Sequence, residues 1–351
     1  MAHLWIAITA HGYGHLAQIA PLVAALHQQR PSVRITLQST LPLAVIRSRI
    51  SAPFTLVDQP ADVALPMDNP LQVRWRDGLA LYEAFERDYP QHLARQQARL
   101  AADPPTVLLA DVPWMPLEAA HKMQLPAVGL CSLNWYDILL HSPVGGELSA
   151  ALSQRLQRVY QQADLFLRPA PSMPMPWLNN AVAIGPLAAQ RPRRADDWRQ
   201  RLGIAAETRL LLMQFGGTGH LTLSGAVPAG WQILTPDVNI SPRPGIHHIA
   251  ADEVLDALAS VDALLTKPGY GAFAEAACHG IPVIYVRRDD WAETPHLVTW
   301  LAAQQPTAVL EDLTTAALEQ ALTAVLAQPR PSPLAPTGIA ETLAYLEPWL
   351  A

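Results

Sequence analysis

Short apolar segments alternate with longer segments whose apolar residues recur at helical spacing, beginning at residue 3. This alternation is typical of a parallel sheet that is covered by helices on both faces. In the first half of the chain it predicts helices at 16–29, 77–100 and 148–162, and strands at 3–9, 33–38, 54–57, 106–110, 127–130, 164–167 and 182–184. We therefore expect one Rossmann-like domain whose first crossover is right-handed.

A polar run separates this domain from a second series of strands. The run GPLAAQRPRRADDWRQRLGI, from residue 185, contains two prolines and five arginines, which is typical of a linker followed by a short helix. Beyond it, strands are predicted at 209–215, 232–235, 247–249, 263–266, 283–286 and 307–310. The chain is thus predicted to contain an N-terminal Rossmann-like domain (1–188), a second Rossmann-like domain (189–336) and a C-terminal helix (337–351) that packs back on the first domain.

The composition is that of a globular protein and argues against a nucleic-acid partner. Half of the 351 residues are hydrophobic, and the formal net charge is -6, so the chain lacks the overall basic surface that nucleic-acid binding requires. Cys131 and Cys278 lie in apolar segments without metal-ligand spacing, which indicates buried thiols in a reducing compartment. The N-terminus lacks the pattern of a signal peptide, so we expect a cytoplasmic protein. The sequence gives no indication of oligomeric state.

The first candidate site is the run HGYGH at residues 11–15, between the first predicted strand and the first helix. Glycines allow the backbone to turn sharply and to approach a ligand, and the helix N-terminus offers free N–H groups. This position, at the carboxyl end of a strand, is where open α/β sheets bind ligands. The alternative is that His11 and His15 only cap the helix or bond to the loop.

The second candidate site is the strand, turn and helix LLTKPGYGAFAEA at residues 264–276. Gly269 and Gly271 leave backbone N–H groups open to a pyrophosphate, and the following helix directs its positive end to the same place. Glu275, one turn into the helix, can accept hydrogen bonds from sugar hydroxyls. The alternative is that Glu275 is an ordinary exposed residue and Lys267 a solvated charge.

Two further loops follow predicted strands of the second domain. The run QFGGTGH, at 214–220, can wrap a phosphate with backbone amides but is not a P-loop, because GxxxxGK followed by Ser or Thr is absent from the sequence. The run RRDDWAETPH, at 287–296, offers acids for hydroxyls and arginines for phosphate. We interpret its adjacent acids, Asp289 and Asp290, as charge partners of the arginines and expect no metal site. One of the two arginines is expected to be a plain surface charge.

Taken together, HGYGH, QFGG and KPGYGAFAEAACHGIPVIYVRRDDWAETPHL make the chain similar to the GT-B glycosyltransferases over nearly its whole length. It resembles in particular the peptidoglycan GlcNAc transferase family and the glycosyltransferase-like N-terminal half of plant L-arabinokinase. The resemblance implies two Rossmann-like domains that face each other across a cleft, and a nucleotide-sugar donor, UDP-linked in the best-matching families, with no metal and no other cofactor. The implied donor-binding residues are Gly14, Gly216, Gly217, Thr218, Lys267, Gly269, Tyr270, Gly271, Glu275, Arg287, Asp290 and Glu293.

The resemblance also implies how the sugar is transferred. His15 takes the place of the family's histidine that faces the donor, so it is the predicted general base, with His11 as the alternative and Asp111 orienting either ring. Helix-end amides and Lys267 or Arg287 stabilise the departing diphosphate. The predicted acceptor-binding residues are Trp114, Asn134 and Trp135, which follow strand ends of the first domain; core packing is the alternative for them.

Three questions stay open at the level of sequence. The glutamine and asparagine usual near Glu293 in peptidoglycan GlcNAc transferases are absent, so the donor sugar and the acceptor are undetermined. An epimerase of the same architecture, or a catalytically silent nucleotide-sugar-binding protein, would use the same cleft. The arginines at 191–201 suit either a solvated linker or a peripheral contact with anionic lipid headgroups.

Overall fold

The computed structural model describes residues 2–216 and 221–351. Its first part, the N-terminal lobe, contains helices α1 (Gly14–Gln29), α2 (Leu43–Arg49), α3 (Trp75–Arg87), α4 (Tyr89–Ala102), α5 (Trp114–Lys122), α6 (Trp135–Leu140) and α7 (Ala150–Gln162). Its strands are β1 (His3–Ile8), β2 (Arg34–Gln38), β3 (Thr55–Val57), β4 (Met67–Asn69), β5 (Gln72–Val73), β6 (Val107–Asp111), β7 (Ala127–Leu130), β8 (Leu165–Pro169) and β9 (Ala181–Ile184). Seven of them form a parallel sheet in the order β3-β2-β1-β6-β7-β8-β9, and β4 and β5 form a hairpin.

The second part, the C-terminal lobe, is built on a six-stranded parallel sheet in the order β12-β11-β10-β13-β14-β15. These strands are β10 (Arg209–Met213), β11 (Trp231–Thr235), β12 (Ile246–His248), β13 (Ala263–Thr266), β14 (Val283–Val286) and β15 (Thr307–Leu310). The helices are α8 (Ala195–Leu202), α9 (Val254–Ser260), α10 (Tyr270–His279), α11 (Thr294–Gln304), α12 (Thr315–Leu326) and α13 (Gly338–Leu350). The predicted fold class, two Rossmann-like sheets, is confirmed.

Both faces of the first sheet are covered, as the apolar runs predict. Along β1, Trp5 and Ala7 belong to one hydrophobic cluster, while Leu4, Ile6 and Ile8 belong to the cluster on the opposite face. Side chains of a strand alternate between the two faces of its sheet, so a strand buried on both sides is apolar at nearly every position. This is why residues 4–8 of β1 form one continuous apolar segment.

The two lobes share parts of their cores. Tyr270 and Cys278 of α10 pack in the same cluster as strand residues of the N-terminal lobe, together with Leu346 and Leu350 of α13. Trp291, which follows β14, packs in the other cluster of the N-terminal lobe. This shared packing holds the carboxyl ends of both sheets face to face. The domain boundaries after residues 188 and 336 stay predictions.

The helix predicted at 77–100 is in fact two helices, so that prediction was wrong in detail. Helix α3 ends at Arg87 and α4 begins at Tyr89, with Pro90 in the first turn of α4. Proline has no N–H to donate to a preceding carbonyl, and it therefore starts a helix more readily than it continues one. Helices α2, α5, α6, α9, α11 and α12 and the β4–β5 hairpin were not predicted; of these, α2, α6, α9 and the hairpin are short.

Four of the five arginines of the interlobe segment, residues 185–204, form ion pairs with carboxylates of the C-terminal lobe. The pairs are Arg191–Asp256, Arg193–Asp262, Arg199–Asp196 and Arg201–Glu253. These contacts favour a structural role over a contact with lipid headgroups. Within residues 2–216 and 221–351, no helix combines the length and the apolar character that crossing a bilayer demands.

Candidate functional site

A cleft of about 420 Å³ lies between the lobes, at the carboxyl ends of their central strands. In the C-terminal lobe its lining comes from the segments that follow β10, β13 and β14. In the N-terminal lobe it comes from the segments that follow β1 and β7, from Arg49 at the end of α2, and from residues 64–67 and 70 around β4. Helices begin next to these strand ends, so their free N–H groups face the same edge of the sheet. A cleft of this size can hold a small-molecule substrate.

The structure brings most of the predicted site residues to this cleft. Those that line it are His11, Gly14, His15, Gly216, Lys267, Gly269, Tyr270, Gly271, Glu275 and Glu293. Asp111 is fully buried and lies behind His15. The predicted residues Gly217 and Thr218 lie outside the residues that the structure describes.

The N-termini of α1 and α10 meet inside the cleft. A Cβ atom added to Gly271 would lie 3.6 Å from the Cα atom of Gly14 and 2.8 Å from the Cβ atom of Ala17. The N-cap residues Tyr13 and Gly269 make no side-chain capping hydrogen bond. Because side chains leave the first N–H groups of both helices uncapped, the two positive helix ends create a local preference for an anion.

His15 and Asp111 form a buried pair. The Nδ1 atom of His15 lies 3.0 Å from Oδ1 of Asp111, so Nδ1–H donates to the carboxylate. Burial alone would lower the pKa of His15, but the carboxylates of Asp111, Glu293 and Asp62 together outweigh burial, and the pKa is raised above its ordinary value of 6.5. This arrangement leaves Nε2 unprotonated in the neutral ring, so that it can accept a proton.

His11 is electrostatically the opposite of His15. Burial is the main reason that the pKa of His11 is lowered to about 3, and the positive charges of His15, Arg288 and Lys267 lower it further. Its ring stacks on the indole of Trp291, with ring centroids 5.4 Å apart. His11 is therefore neutral at physiological pH and much the weaker base, which favours His15 for the role that the sequence left between them.

The atoms of His15, Asp111 and Cys131 lie close enough together to resemble a metal site. One potential ligand atom of each residue falls within 4.8 Å of the others. Thiols bind metals as thiolates, yet burial and the neighbouring Asp111 raise the pKa of Cys131 well above its ordinary value of 9.0. The cluster is thus better suited to hydrogen bonding than to a metal ion, and the absence of a metal from the function stays a prediction.

Glu275 is paired across the cleft with a residue that the sequence did not indicate. Its Oε1 atom accepts a hydrogen bond of 2.6 Å from Nη1 of Arg49, the last residue of α2 in the N-terminal lobe. The Glu275 side chain is 3% exposed, so it is not the ordinary surface residue of the alternative interpretation. A helix-end arginine with no neighbouring motif carries no signal in the sequence that it reaches the opposite lobe.

Glu293 also joins the two lobes. Its Oε1 atom accepts a hydrogen bond of 2.6 Å from Ser132 Oγ, and its Oε2 atom one of 3.2 Å from Trp291 Nε1. Burial raises the pKa of Glu293, against the effect of these two donors. Lys267 lines the cleft nearby, and burial together with the charge of Arg288 lowers its pKa from 10.5 to about 7.

The prediction for Arg287 and Asp290 is corrected by the structure. Arg287 points away from the cleft and forms hydrogen bonds of 2.6 to 2.8 Å with Glu311 on the surface. Arg288 lines the cleft instead. Asp290 lies outside the lining and accepts a hydrogen bond of 3.1 Å from Trp75 Nε1. Adjacent residues of an extended segment point in opposite directions, so only one of the two arginines can face the cleft.

The residues predicted to bind the acceptor lie in the core, which corrects that prediction. Trp114, Asn134 and Trp135 are each 0% exposed in the structure, so they cannot touch a ligand. Trp135 instead packs edge-on against the His11 ring and donates from Nε1 to Asp62 at 2.8 Å. Burial raises the pKa of Asp62 to about 6, and no pattern in the sequence indicated this second buried acid near His15.

Comparison with known proteins agrees with this architecture. No family model matches the chain. L-arabinokinase from Arabidopsis thaliana is 24% identical over 310 residues, which cover 85% of this chain and 29% of that protein. The chain thus corresponds to less than a third of the length of that relative.

Several solved structures have the same fold at low sequence identity. The glycotransferase of kitacinnamycin superposes with a TM-score of 0.63 at 17% identity, covering 99% of this chain and 94% of that chain. The calicheamicin glycosyltransferase CalG4 has a TM-score of 0.58 at 17% identity, over 100% and 98% of the two chains. A putative UDP-N-acetylglucosamine 2-epimerase from Listeria monocytogenes has a TM-score of 0.58 at 13% identity, over 99% and 96%. The chain therefore has the GT-B fold that the sequence motifs predicted.

Proposed function

We propose that the protein transfers a sugar from a nucleotide diphosphate donor to a hydroxyl group of an acceptor, as a metal-independent glycosyltransferase of the hexosyltransferase type. One observation carries the proposal: a histidine whose pKa is raised by a buried carboxylate lies in the same cleft as two converging helix N-termini. The first can take a proton and the second can hold a diphosphate. A glycosyl transfer that forms no covalent intermediate needs both in one place.

The donor would lie mainly on the C-terminal lobe. Its diphosphate would accept hydrogen bonds from the backbone at the start of α10 and at Gly216, with the ammonium group of Lys267 beside them. Glu275 would accept hydrogen bonds from ribose hydroxyls, and Glu293 from hydroxyls of the transferred sugar. The bound donor would be a UDP-sugar, which is the donor that the motif resemblance implies.

The chemistry follows from this placement. Nε2 of His15 takes the proton of the acceptor hydroxyl while that oxygen forms a bond to the anomeric carbon. The bond from the anomeric carbon to the diphosphate breaks, and the diphosphate leaves with the electron pair. Asp111 holds the His15 ring and stabilises its positive charge, while helix-end amides and Lys267 stabilise the negative charge of the leaving group. General base catalysis of this kind contributes about 10²- to 10⁴-fold in rate.

A calorimetric titration with UDP, dTDP and GDP and with their glucose conjugates tests the donor site first. We expect one nucleotide to bind, and His15→Ala to bind it with unchanged affinity. We also expect His15→Ala to lose donor turnover, because only the reaction requires a base. If none of the nucleotides binds the wild-type protein, the proposal is wrong; if binding occurs without any turnover of donor, the protein is a nucleotide-sugar-binding protein instead.

A second candidate is a nucleotide-sugar epimerase. Trp114, Asn134 and Trp135 are buried, so the acceptor site predicted from sequence is not open in this structure. An epimerase needs no acceptor site, and this observation therefore favours it as the second candidate. An epimerase would use carboxylates and histidines to remove and return a proton of the donor itself. Incubating the protein with the nucleotide-sugar that binds, without an acceptor, tests this candidate: an isomerised nucleotide-sugar identifies an epimerase, and an unchanged one excludes it.

A further inference from the structure

Arg288 is a buried cation whose hydrogen bonds are not satisfied. Its side chain lines the cleft and is 3% exposed. Within the described part of the chain, the Nε and Nη2 atoms have no hydrogen-bond partner. The nearest carboxylate oxygen, Oδ1 of Asp290, is 3.6 Å from Nε, beyond hydrogen-bond distance. A buried guanidinium group normally binds two oxygens of a carboxylate or phosphate group through paired N–H groups, so an arginine in this state is incomplete without a ligand.

The neighbours of Arg288 include an indole ring and the carboxylate that we assign to the transferred sugar. Its guanidinium carbon lies 4.4 Å from the ring centroid of Trp291, the same indole on which the His11 ring stacks. The charge of Arg288 also acts on Glu293, which we assign to hydroxyls of the transferred sugar. The diphosphate already has the two uncapped helix ends. Arg288 is therefore an additional cation, near the carboxylate that we assign to the transferred sugar.

The carboxylates near Arg288 do not neutralise it fully. Glu293 receives its hydrogen bonds from Ser132 and Trp291, and Asp290 receives one from Trp75. Lys267 adds a second positive charge on the same side of the cleft, close enough for Arg288 to lower its pKa. Arg288 and Lys267 thus carry two positive charges on one side of the cleft, while the nearby carboxylates already accept hydrogen bonds from other donors. This charge distribution favours the binding of an oxyanion.

We propose that Arg288 binds an oxyanion distinct from the donor diphosphate: a carboxylate or phosphate group carried by the transferred sugar or by the acceptor. This inference rests on the proposed function and specifies the substrate class. The donor sugar would be a sugar acid such as a uronic acid, or the acceptor would be a sugar acid or a sugar phosphate. The guanidinium group of Arg288 binds the carboxylate or phosphate, and Glu293 nearby accepts hydrogen bonds from hydroxyl groups.

The test compares Arg288→Gln with Arg287→Gln, a matched control in which the neighbouring surface arginine loses its pair with Glu311. The nucleotide that binds the wild type in calorimetry is titrated as the free diphosphate, the glucose conjugate and the glucuronic acid conjugate. Free glucuronate and glucose 6-phosphate are then titrated into protein saturated with the free diphosphate. Thermal unfolding of both variants reports whether the fold is retained, and Arg288→Lys serves as a second variant that keeps the charge.

A donor-borne oxyanion predicts that Arg288→Gln weakens binding of the glucuronic acid conjugate at least tenfold and changes the other two ligands less than twofold. An acceptor-borne oxyanion predicts that all three nucleotides bind normally, while glucuronate or glucose 6-phosphate binds the wild type and not Arg288→Gln. If Arg288→Gln lowers the affinity for all three nucleotides equally, Arg288 binds the diphosphate and the inference is wrong. The inference is also wrong if Arg288→Gln weakens the binding of none of the oxyanions tested. If no nucleotide binds the wild type, the proposed function fails as well.

Discussion

Asp111 holds the ring of His15 through a hydrogen bond of 3.0 Å between Oδ1 and Nδ1, at a depth where the carboxylate is 0% exposed. The bond fixes which ring nitrogen carries the proton, and the carboxylate charge raises the pKa of the imidazole above 6.5. Both effects suit a general base that has to be neutral before the reaction and positively charged after it.

Asp111→Asn should change the rate and its pH dependence together. A general base acts in its neutral form, so kcat/KM of the wild type should fall as the pH drops below the raised pKa of His15. Without the carboxylate charge that pKa falls, and the acidic limb of the profile should move to lower pH. The maximal rate should decrease by about 10²-fold or more, because the ring loses its fixed orientation. The measurement is kcat/KM for donor turnover between pH 5 and 9.

The control for this prediction is nucleotide affinity, which should be unchanged in Asp111→Asn because Asp111 does not line the cleft. An acidic limb that stays in place while the rate falls would show that His15 is not the titrating base.

The glycine turns of the site could be predicted from sequence because they are local features. HGYGH and KPGYG each stand between a strand pattern and a helix pattern, and parallel strands present their carboxyl ends at the same edge. The strands were also predictable, as with 127–130, 263–266, 283–286 and 307–310, whose bounds the structure reproduces. Apolar runs at buried strands leave little ambiguity, whereas the short hairpin of β4 and β5 has no such run.

The contacts between the lobes could not be predicted from sequence. Arg49 and Glu275 are 226 positions apart in the chain, and no local pattern specifies that they meet. The sequence indicated that one of Arg287 and Arg288 would lie on the surface, but not which one, because this depends on how the segment leaves β14. Trp114 and Trp135 follow strand ends, as ligand-binding residues do, yet the large aromatic side chains are used to fill the core.

Lys267 should make donor binding sensitive to alkaline pH. In the free protein its pKa is about 7, so the ammonium group loses its proton as the pH rises through neutrality. An anionic ligand favours the charged form, and affinity should therefore fall above pH 7, by up to about tenfold per pH unit. Calorimetric titration of the glucose conjugate at several pH values measures this dependence. Lys267→Arg keeps its charge throughout, so a wild-type affinity as flat as that of Lys267→Arg would contradict the prediction.

Arg49→Gln should destabilise the protein more than Glu275→Gln. Removing Arg49 leaves the Glu275 carboxylate, at 3% exposure, without its cation, whereas Glu275→Gln retains an oxygen that accepts from Arg49, whose side chain is 21% exposed. Removing one partner of a fully buried pair costs about 3–5 kcal/mol, and the partial exposure of Arg49 reduces this to about 1–3 kcal/mol. The free energy of unfolding from chemical denaturation measures both variants.

Arg47→Gln is the matched control for that comparison, since Arg47 lies on the same helix and stacks on Phe54 without reaching the other lobe. A loss below about 1 kcal/mol is expected for it. Equal effects of Arg47→Gln and Arg49→Gln would show that the pair across the cleft adds no stability.

Gly271→Ala should separate the two helix ends that meet in the cleft. The new Cβ atom would lie 2.8 Å from the Cβ atom of Ala17, closer than two carbon atoms can approach, so α10 or α1 must move. Overpacking of this kind costs about 1–3 kcal/mol, and the displacement weakens the anion site as well. Gly146→Ala is the control, because its added Cβ atom meets nothing within 4 Å. We expect Gly271→Ala to lower both the unfolding free energy and nucleotide affinity, and Gly146→Ala to leave nucleotide affinity unchanged. The contact between α1 and α10 is so close that an added methyl group must move their N–H groups. Unchanged nucleotide affinity in Gly271→Ala would therefore mean that the diphosphate binds elsewhere.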